Sequence, residues 1–133
     1  MRPTPTELDA LLRQIVEAAQ RVHETLGPGF LETVYARALL SELRNRGLAI
    51  ERERQVKIWY GSLVVGKHSL DLKMERSVVV ELKANRGLAT IHAAQLRSYL
   101  QATNGSCGVL LNFGDPALQW EVLHRELVAE NPD

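Results

Sequence analysis

At 133 residues the chain fits one compact domain with a single core. Sixteen Lys and Arg balance sixteen Asp and Glu, so no broad pull toward nucleic acid or membrane follows, which argues against a non-specific coat protein. It leaves open an enzyme whose basic residues gather on one face. The one cysteine, Cys107, excludes an internal disulfide and a Cys-based zinc site.

No apolar run approaches the roughly 20 residues that span a bilayer, and the opening lacks a basic-then-apolar leader pattern. No membrane association and a cytoplasmic location are therefore expected. The tails, residues 1–5 and 129–133, are expected to be flexible. Thr6 reads as an N-cap with Asp9 three residues on, opening a long amphipathic helix through Ile15, Ala19, Val22 and Leu26. Gly27-Pro28-Gly29 stops it. A second helix is expected from Phe30 to Arg46, with Gly47 as its C-terminal stop.

From Leu48 the period changes to alternation. Ala49 to Tyr60 reads as a strand, charged at Glu51 to Arg54 and so suited to an edge. Gly61-Ser62 is a hairpin signal, followed by a strand from Leu63 through Asp71 and Leu72. A tight turn is expected at Glu75 to Ser77, then an apolar strand from Val78 to Ala84. Thr90 caps a third helix carrying His92, Gln95 and Tyr99 as a polar stripe, ended by Asn104-Gly105. Cys107 to Phe113 reads as a strand buried on both faces, with a reduced thiol at its start. After a turn at Gly114 to Pro116, Leu118 to Leu127 suits a strand or a short helix. The order is ααβββαβ plus a C-terminal element, in one α/β domain spanning residues 1–133.

Chemistry concentrates between Asp71 and Lys83. Alternation puts Val79, Glu81 and Lys83 on one face of their strand, and hairpin pairing would set Asp71 beside Glu81. Two carboxylates suit Mg²⁺, which takes oxygen ligands, polarises a phosphoryl group and lowers the pKa of bound water. A neighbouring lysine can orient that water or stabilise charge. A bare E-x-K is more often a solvated ion pair. Its setting in an apolar central strand points the other way, because charges there are costly unless they serve a purpose.

Several motifs then carry a family resemblance: G-F-L-E-T-V-Y at Gly29 to Tyr35, V-E-L-K-A, H-x-x-Q-L-x-x-Y-L and L-L-N-F-G. The chain resembles the GxxExxY proteins and, over about Ile15 to Arg125, the PD-(D/E)XK nuclease superfamily. The resemblance implies a restriction-endonuclease-like mixed sheet flanked by helices. It implies Mg²⁺ (or Mn²⁺) held by Asp71 and Glu81 with Glu32 reaching in, Lys83 activating water, and Gln95 near the scissile phosphate. Tyr35, Lys73, Arg97 and Tyr99 are the expected substrate contacts, and the expected partner is nucleic acid, DNA above RNA. Two rival readings stand beside this one. The first is a nuclease-fold binding module without catalysis, and the second is a metal-dependent hydrolase of small phosphorylated substrates. Quaternary structure stays open: a homodimer through the edge segment Ala49 to Tyr60 and a monomer are equally consistent with the composition.

Overall fold

The computed structural model describes residues 4–74, 78–87, 90–103 and 107–124, without the side chains of residues 53, 54, 56, 68–71, 102 and 103. Helix α1 runs Pro5–Leu26 and is capped by Thr4, two residues before the expected Thr6. Thr4 Oγ1 accepts from the Glu7 amide at 3.1 Å, and the Glu7 carboxylate accepts from the Thr4 amide at 3.2 Å. Thr4-Pro5-Thr6-Glu7 supplies both a reaching glutamate at the third helical position and a proline at the first, which Thr6 with the shorter Asp9 cannot match.

Helix α2 runs Glu32–Asn45, two residues later than the expected start at Phe30. Gly29 sits at φ 114, outside helical space, and the Phe30 amide donates to the Tyr35 hydroxyl rather than entering a helical turn. Gly47, at φ 80, follows the helix as expected.

Five strands form one sheet in sequence order: β1 Ile50–Tyr60, β2 Leu63–Met74, β3 Val78–Lys83, β4 Cys107–Asn112 and β5 Gln119–His124. Helix α3, Thr90–Thr103, crosses over between β3 and β4, which are parallel; the other neighbours are antiparallel, so the sheet is mixed. The fold class is as expected from the sequence, with β3 central and β1 at an edge. Thr90 is the first residue of α3, and the open C-terminal choice resolves to a strand. The turn expected at Glu75 to Ser77 and the helix stop at Asn104-Gly105 lie outside the described residues. Among those residues no helix is long and apolar enough to cross a membrane.

The alternation of β3 sorts its neighbours into two layers. Val78, Val80 and Leu82 pack in one cluster with Leu12, Ile15 and Val22 of α1 and Leu39 and Leu43 of α2. Val79 points the other way, into a smaller cluster with Ala93, Leu96, Tyr99 and Leu100 of α3. Each fully buried aliphatic side chain stabilises the fold by about 1.5–3 kcal/mol, so the helix layers are held by apolar contact. The ion pairs Arg21–Glu42 and Arg46–Glu17, both at 3.3 Å, join α1 to α2. They are solvent-facing and contribute little.

β2 is twice as long as β3, and its two halves have different partners. Its C-terminal end pairs with β3 from Met74↔Val78 to Leu72↔Val80, and its remainder pairs with β1 alone. The β1–β2 hairpin therefore projects past β3 and ends in a two-residue turn led by Gly61 at φ 63. Near its tip the register shifts between Ile58 and Trp59, leaving Val65 as the extra residue of a bulge.

Candidate active site

Asp71 and Glu81 are the first residues beyond the Leu72↔Val80 pair, where β2 leaves β3. Glu81 and Lys83 share the Val79 face, toward α3, as strand alternation requires. Lys73 stands opposite Val79 on the same face, and Asp71 shares its parity along β2. The side chain of Asp71 lies outside the described residues. Glu81 is 7% exposed and Lys83 is half-buried, so a carboxylate is carried inside a central strand next to an ammonium-bearing residue. Burying a charge there is expensive unless it is paired and hydrogen-bonded or holds an ion.

Across the sheet from Lys83 lies Asn112, its partner in the parallel β3–β4 register and fully buried. Its amide nitrogen donates to the Asn85 carbonyl at 2.8 Å, and its Oδ1 accepts from the amides of Asn85 at 3.2 Å and Gly114 at 3.1 Å. Asp115 adds a second tie by accepting from the Gly87 amide at 2.9 Å. A Cβ on Gly114 would stand 2.2 Å from the Asn85 carbonyl oxygen, so only glycine lets these two loops touch. The segments that follow β3 and β4 are thus fastened together beside Lys83.

The same latch reaches the helices. The Phe113 amide donates to the Lys83 carbonyl at 2.9 Å, and its ring stacks on Tyr35 with centroids 4.6 Å apart. His23 of α1 also stacks on Phe113, with centroids 6.2 Å apart, and its Nε2 donates to the Asp115 carbonyl at 2.8 Å. Tyr35 is fully buried, and its hydroxyl donates to the Gly27 carbonyl at 2.5 Å while accepting from Phe30. Expected at the substrate, Tyr35 instead holds the Gly27 to Phe30 loop, with no surface left for a ligand. Glu32, exposed in the first turn of α2, is thereby brought to the carboxyl ends of β3 and β4. It comes from the helix layer opposite the face that carries Glu81.

A cleft of about 430 Å³ opens between the projecting hairpin and α3. Gln95, Ser98, Tyr99, Ile91 and Ala94 line it from α3, and Ile58, Val65, Gly66 and Lys67 from the hairpin. Gly108 lets α3 sit close on the sheet, since a Cβ there would lie 2.9 Å from Leu96 Cδ2. Gln95 and Tyr99 are therefore brought together as their spacing implied, with Tyr99 largely buried against Val79. Arg97 is exposed and stands outside the cleft lining. Lys67 is among the basic residues that the sequence offers for phosphate contact; Ser98 was missed, although a helical count from Gln95 and Tyr99 points to it.

The donor chemistry of this corner is that of hard oxygen: a buried carboxylate, a second carboxylic residue at the end of the same paired stretch, and strand-end carbonyls. That set suits Mg²⁺ or Mn²⁺ better than a soft metal. Among the described residues, which do not include the Asp71 side chain, no three His, Cys, Asp or Glu side chains gather into a metal cluster. The lone thiol takes no part. Burial pushes Cys107 up to about 11, as expected for a reduced, buried residue.

Residues 9–125 match the family model described as the PD-(D/E)XK nuclease superfamily. Among solved structures the chain is similar to the "Crystal structure of SSO0001", at 23% identity and a TM-score of 0.57. That alignment covers 72% of this chain and 51% of the other, so the chain spans about half the length of that relative. The likeness is one of fold. No curated protein matches the chain at a comparable level.

Proposed function

The chain belongs to the PD-(D/E)XK nuclease superfamily, and from that membership we propose that it is a metal-dependent nuclease hydrolysing phosphodiester bonds in DNA. The observation that carries the reading is the buried Glu81, two residues before Lys83 on the central strand, at the point where β2 and β3 part. A carboxylate there, on the same strand face as Lys83, offers a hard oxygen donor of the kind that Mg²⁺ or Mn²⁺ takes. The GxxExxY subfamily is part of the proposal, on the strength of Gly29, Glu32 and Tyr35.

In this reading Asp71 and Glu81 would hold Mg²⁺ or Mn²⁺, with Glu32 entering from the end of α2. The bound ion would supply Lewis-acid polarisation of the phosphoryl group and a lowered pKa for its water. Lys83 would orient the attacking water and offset negative charge as it grows on the phosphoryl oxygens. The Gln95 amide would hold a non-bridging oxygen at the mouth of the cleft, where Lys67 and Ser98 also reach. Lys73 would temper the repulsion between the carboxylates. Tyr35 and Asn112 would act by position alone, keeping the end of α2 and the end of β3 in register.

Supplying Mg²⁺ or Mn²⁺ to the protein with duplex and single-stranded DNA and with RNA tests the reading. Cleavage of DNA that disappears in Asp71→Ala and Lys83→Ala is expected. Cleavage that persists unchanged in both would sink the assignment.

A further inference from the structure

Away from the Glu81 face, between α2 and the edge strand β1, lies a second cleft of about 360 Å³. Arg37, Arg44 and Arg52 line it with Leu40, Ser41 and Asn45, and no acidic side chain is among the lining residues. Arg37 and Arg44 stand seven residues apart on α2, about two turns, so they share one stripe roughly 10 Å long. Arg21 and Arg46 are each paired with a carboxylate, whereas among the described residues Arg37 and Arg44 have no acidic partner. In a chain with zero net charge, this is a local excess of cations with hydroxyl and amide donors beside it. Guanidinium groups present paired N–H donors that match phosphate oxygens, and a convergent set of them is an anion receptor.

We propose that this cleft binds a backbone phosphate of a nucleic-acid strand that leaves the catalytic end and follows α2. The choice of ligand rests on the nuclease reading, and the cleft adds a second anchoring point to it. Glu32 begins the same helix, and Arg44 lies twelve residues further on, about 18 Å along the axis. At about 3.4 Å of rise per base pair, that span corresponds to roughly five base pairs between a phosphate at the Glu32 end of α2 and the anchored one. The contact would raise affinity and fix register without reading sequence.

The test uses the full chain and a labelled DNA duplex of about 20 base pairs, titrated without divalent ions between roughly 50 and 200 mM salt. The wild type is compared with Arg37→Gln/Arg44→Gln and with Arg44→Lys, and thermal unfolding serves as a control on folding. The double variant is expected to bind about tenfold or more weakly at low salt, with a log–log salt slope smaller by about 1 to 2. Arg44→Lys keeps the charge and is expected to retain most of the slope. Equal affinity and slope in wild type and double variant overturn the proposal, as does a wild type that binds no duplex. A titration with inorganic phosphate separates the sources: saturation of the cleft by the free anion with unaltered duplex binding in the double variant also overturns it. Cleavage is read separately with Mg²⁺ present. Arginine-dependent duplex binding without cleavage sustains the cleft and defeats the nuclease reading; cleavage with an arginine-independent slope does the reverse.

Discussion

Tyr35 and Phe113 stack with their ring planes 12° from parallel, and this contact joins the first turn of α2 to the end of β4. Both rings are fully buried, so the pair contributes its apolar area and about 0.5–1.5 kcal/mol of ring interaction besides. The Tyr35 hydroxyl then ties back the Gly27 to Phe30 loop. One side chain thus sets where α2 begins and where Glu32 stands.

Tyr35→Phe keeps the stack and removes both hydroxyl bonds. It is expected to lower stability by about 1–2 kcal/mol, because the Gly27 carbonyl and Phe30 amide lose their partner. Tyr35→Ala leaves a cavity as well and is expected to cost about 3–5 kcal/mol. Urea unfolding of the three proteins measures both. A Tyr35→Phe midpoint equal to that of the wild type would show that the hydroxyl is not structural.

The Asn112 latch yields a sharper contrast. Gly114→Ala places a Cβ against the Asn85 backbone, which no rotamer can relieve, and is expected to unfold the protein at 37 °C or reduce its Tm well beyond the usual few degrees. Asn112→Ala strips the partners from the Asn85 carbonyl and from two amides, an expected loss of about 2–4 kcal/mol. By comparison Gly66→Ala, with nothing near its Cβ, is expected to change Tm little. Thermal unfolding of the three variants ranks them.

Much of the framework was legible because it is periodic. The alternation of Val78 to Lys83 already put Glu81 and Lys83 on one face, and the apolar run at Cys107 already read as a strand covered on both sides. The latch was not legible in the same way. Asn112 meets Asn85 across 27 residues of sequence, and no local pattern distinguishes an asparagine that clamps a distant loop from one that ends a strand. L-N-F-G stood out as a motif; its meaning needed the fold. The start of α2 was misjudged for a similar reason, since the Phe30 amide is claimed by a side chain five residues ahead. The α1 cap was a misreading of a local signal that the sequence did contain, Thr4 to Glu7.

Cys107 gives the fold a pH signature. Its thiol ordinarily titrates near 9.0, and burial raises it to about 11 in the folded protein. A group whose folded pKa is raised contributes stability that is complete below the unfolded value and lost as pH rises through the folded one. Stability is therefore expected to decline between about pH 9 and 11, by on the order of 3 kcal/mol in total for this group. In Cys107→Ala that component of the decline is absent. Denaturant unfolding at pH 8 and at a pH near 10.5 checks it, as does thiol labelling that proceeds only at the rate of opening.

Glu81 and Lys83 are expected to separate under metal titration. Glu81→Gln keeps the shape of the side chain and removes a charge proposed to face the ion. Without metal, thermal unfolding of that variant sets the baseline from which its metal-induced shift is read. With Mn²⁺ at about a hundred times its dissociation constant, the wild type should gain roughly 2.7 kcal/mol and Glu81→Gln much less. Lys83→Ala should gain nearly as much as the wild type, since the lysine is assigned to the water rather than to the ion, yet cleavage should fall by about 100-fold or more. Thermal unfolding with and without Mn²⁺, beside single-turnover cleavage, reads all three proteins. Equal metal-induced shifts in wild type and Glu81→Gln would remove Glu81 from the metal site, and a lost shift in Lys83→Ala would mean that the lysine acts through the ion's binding instead of through the water.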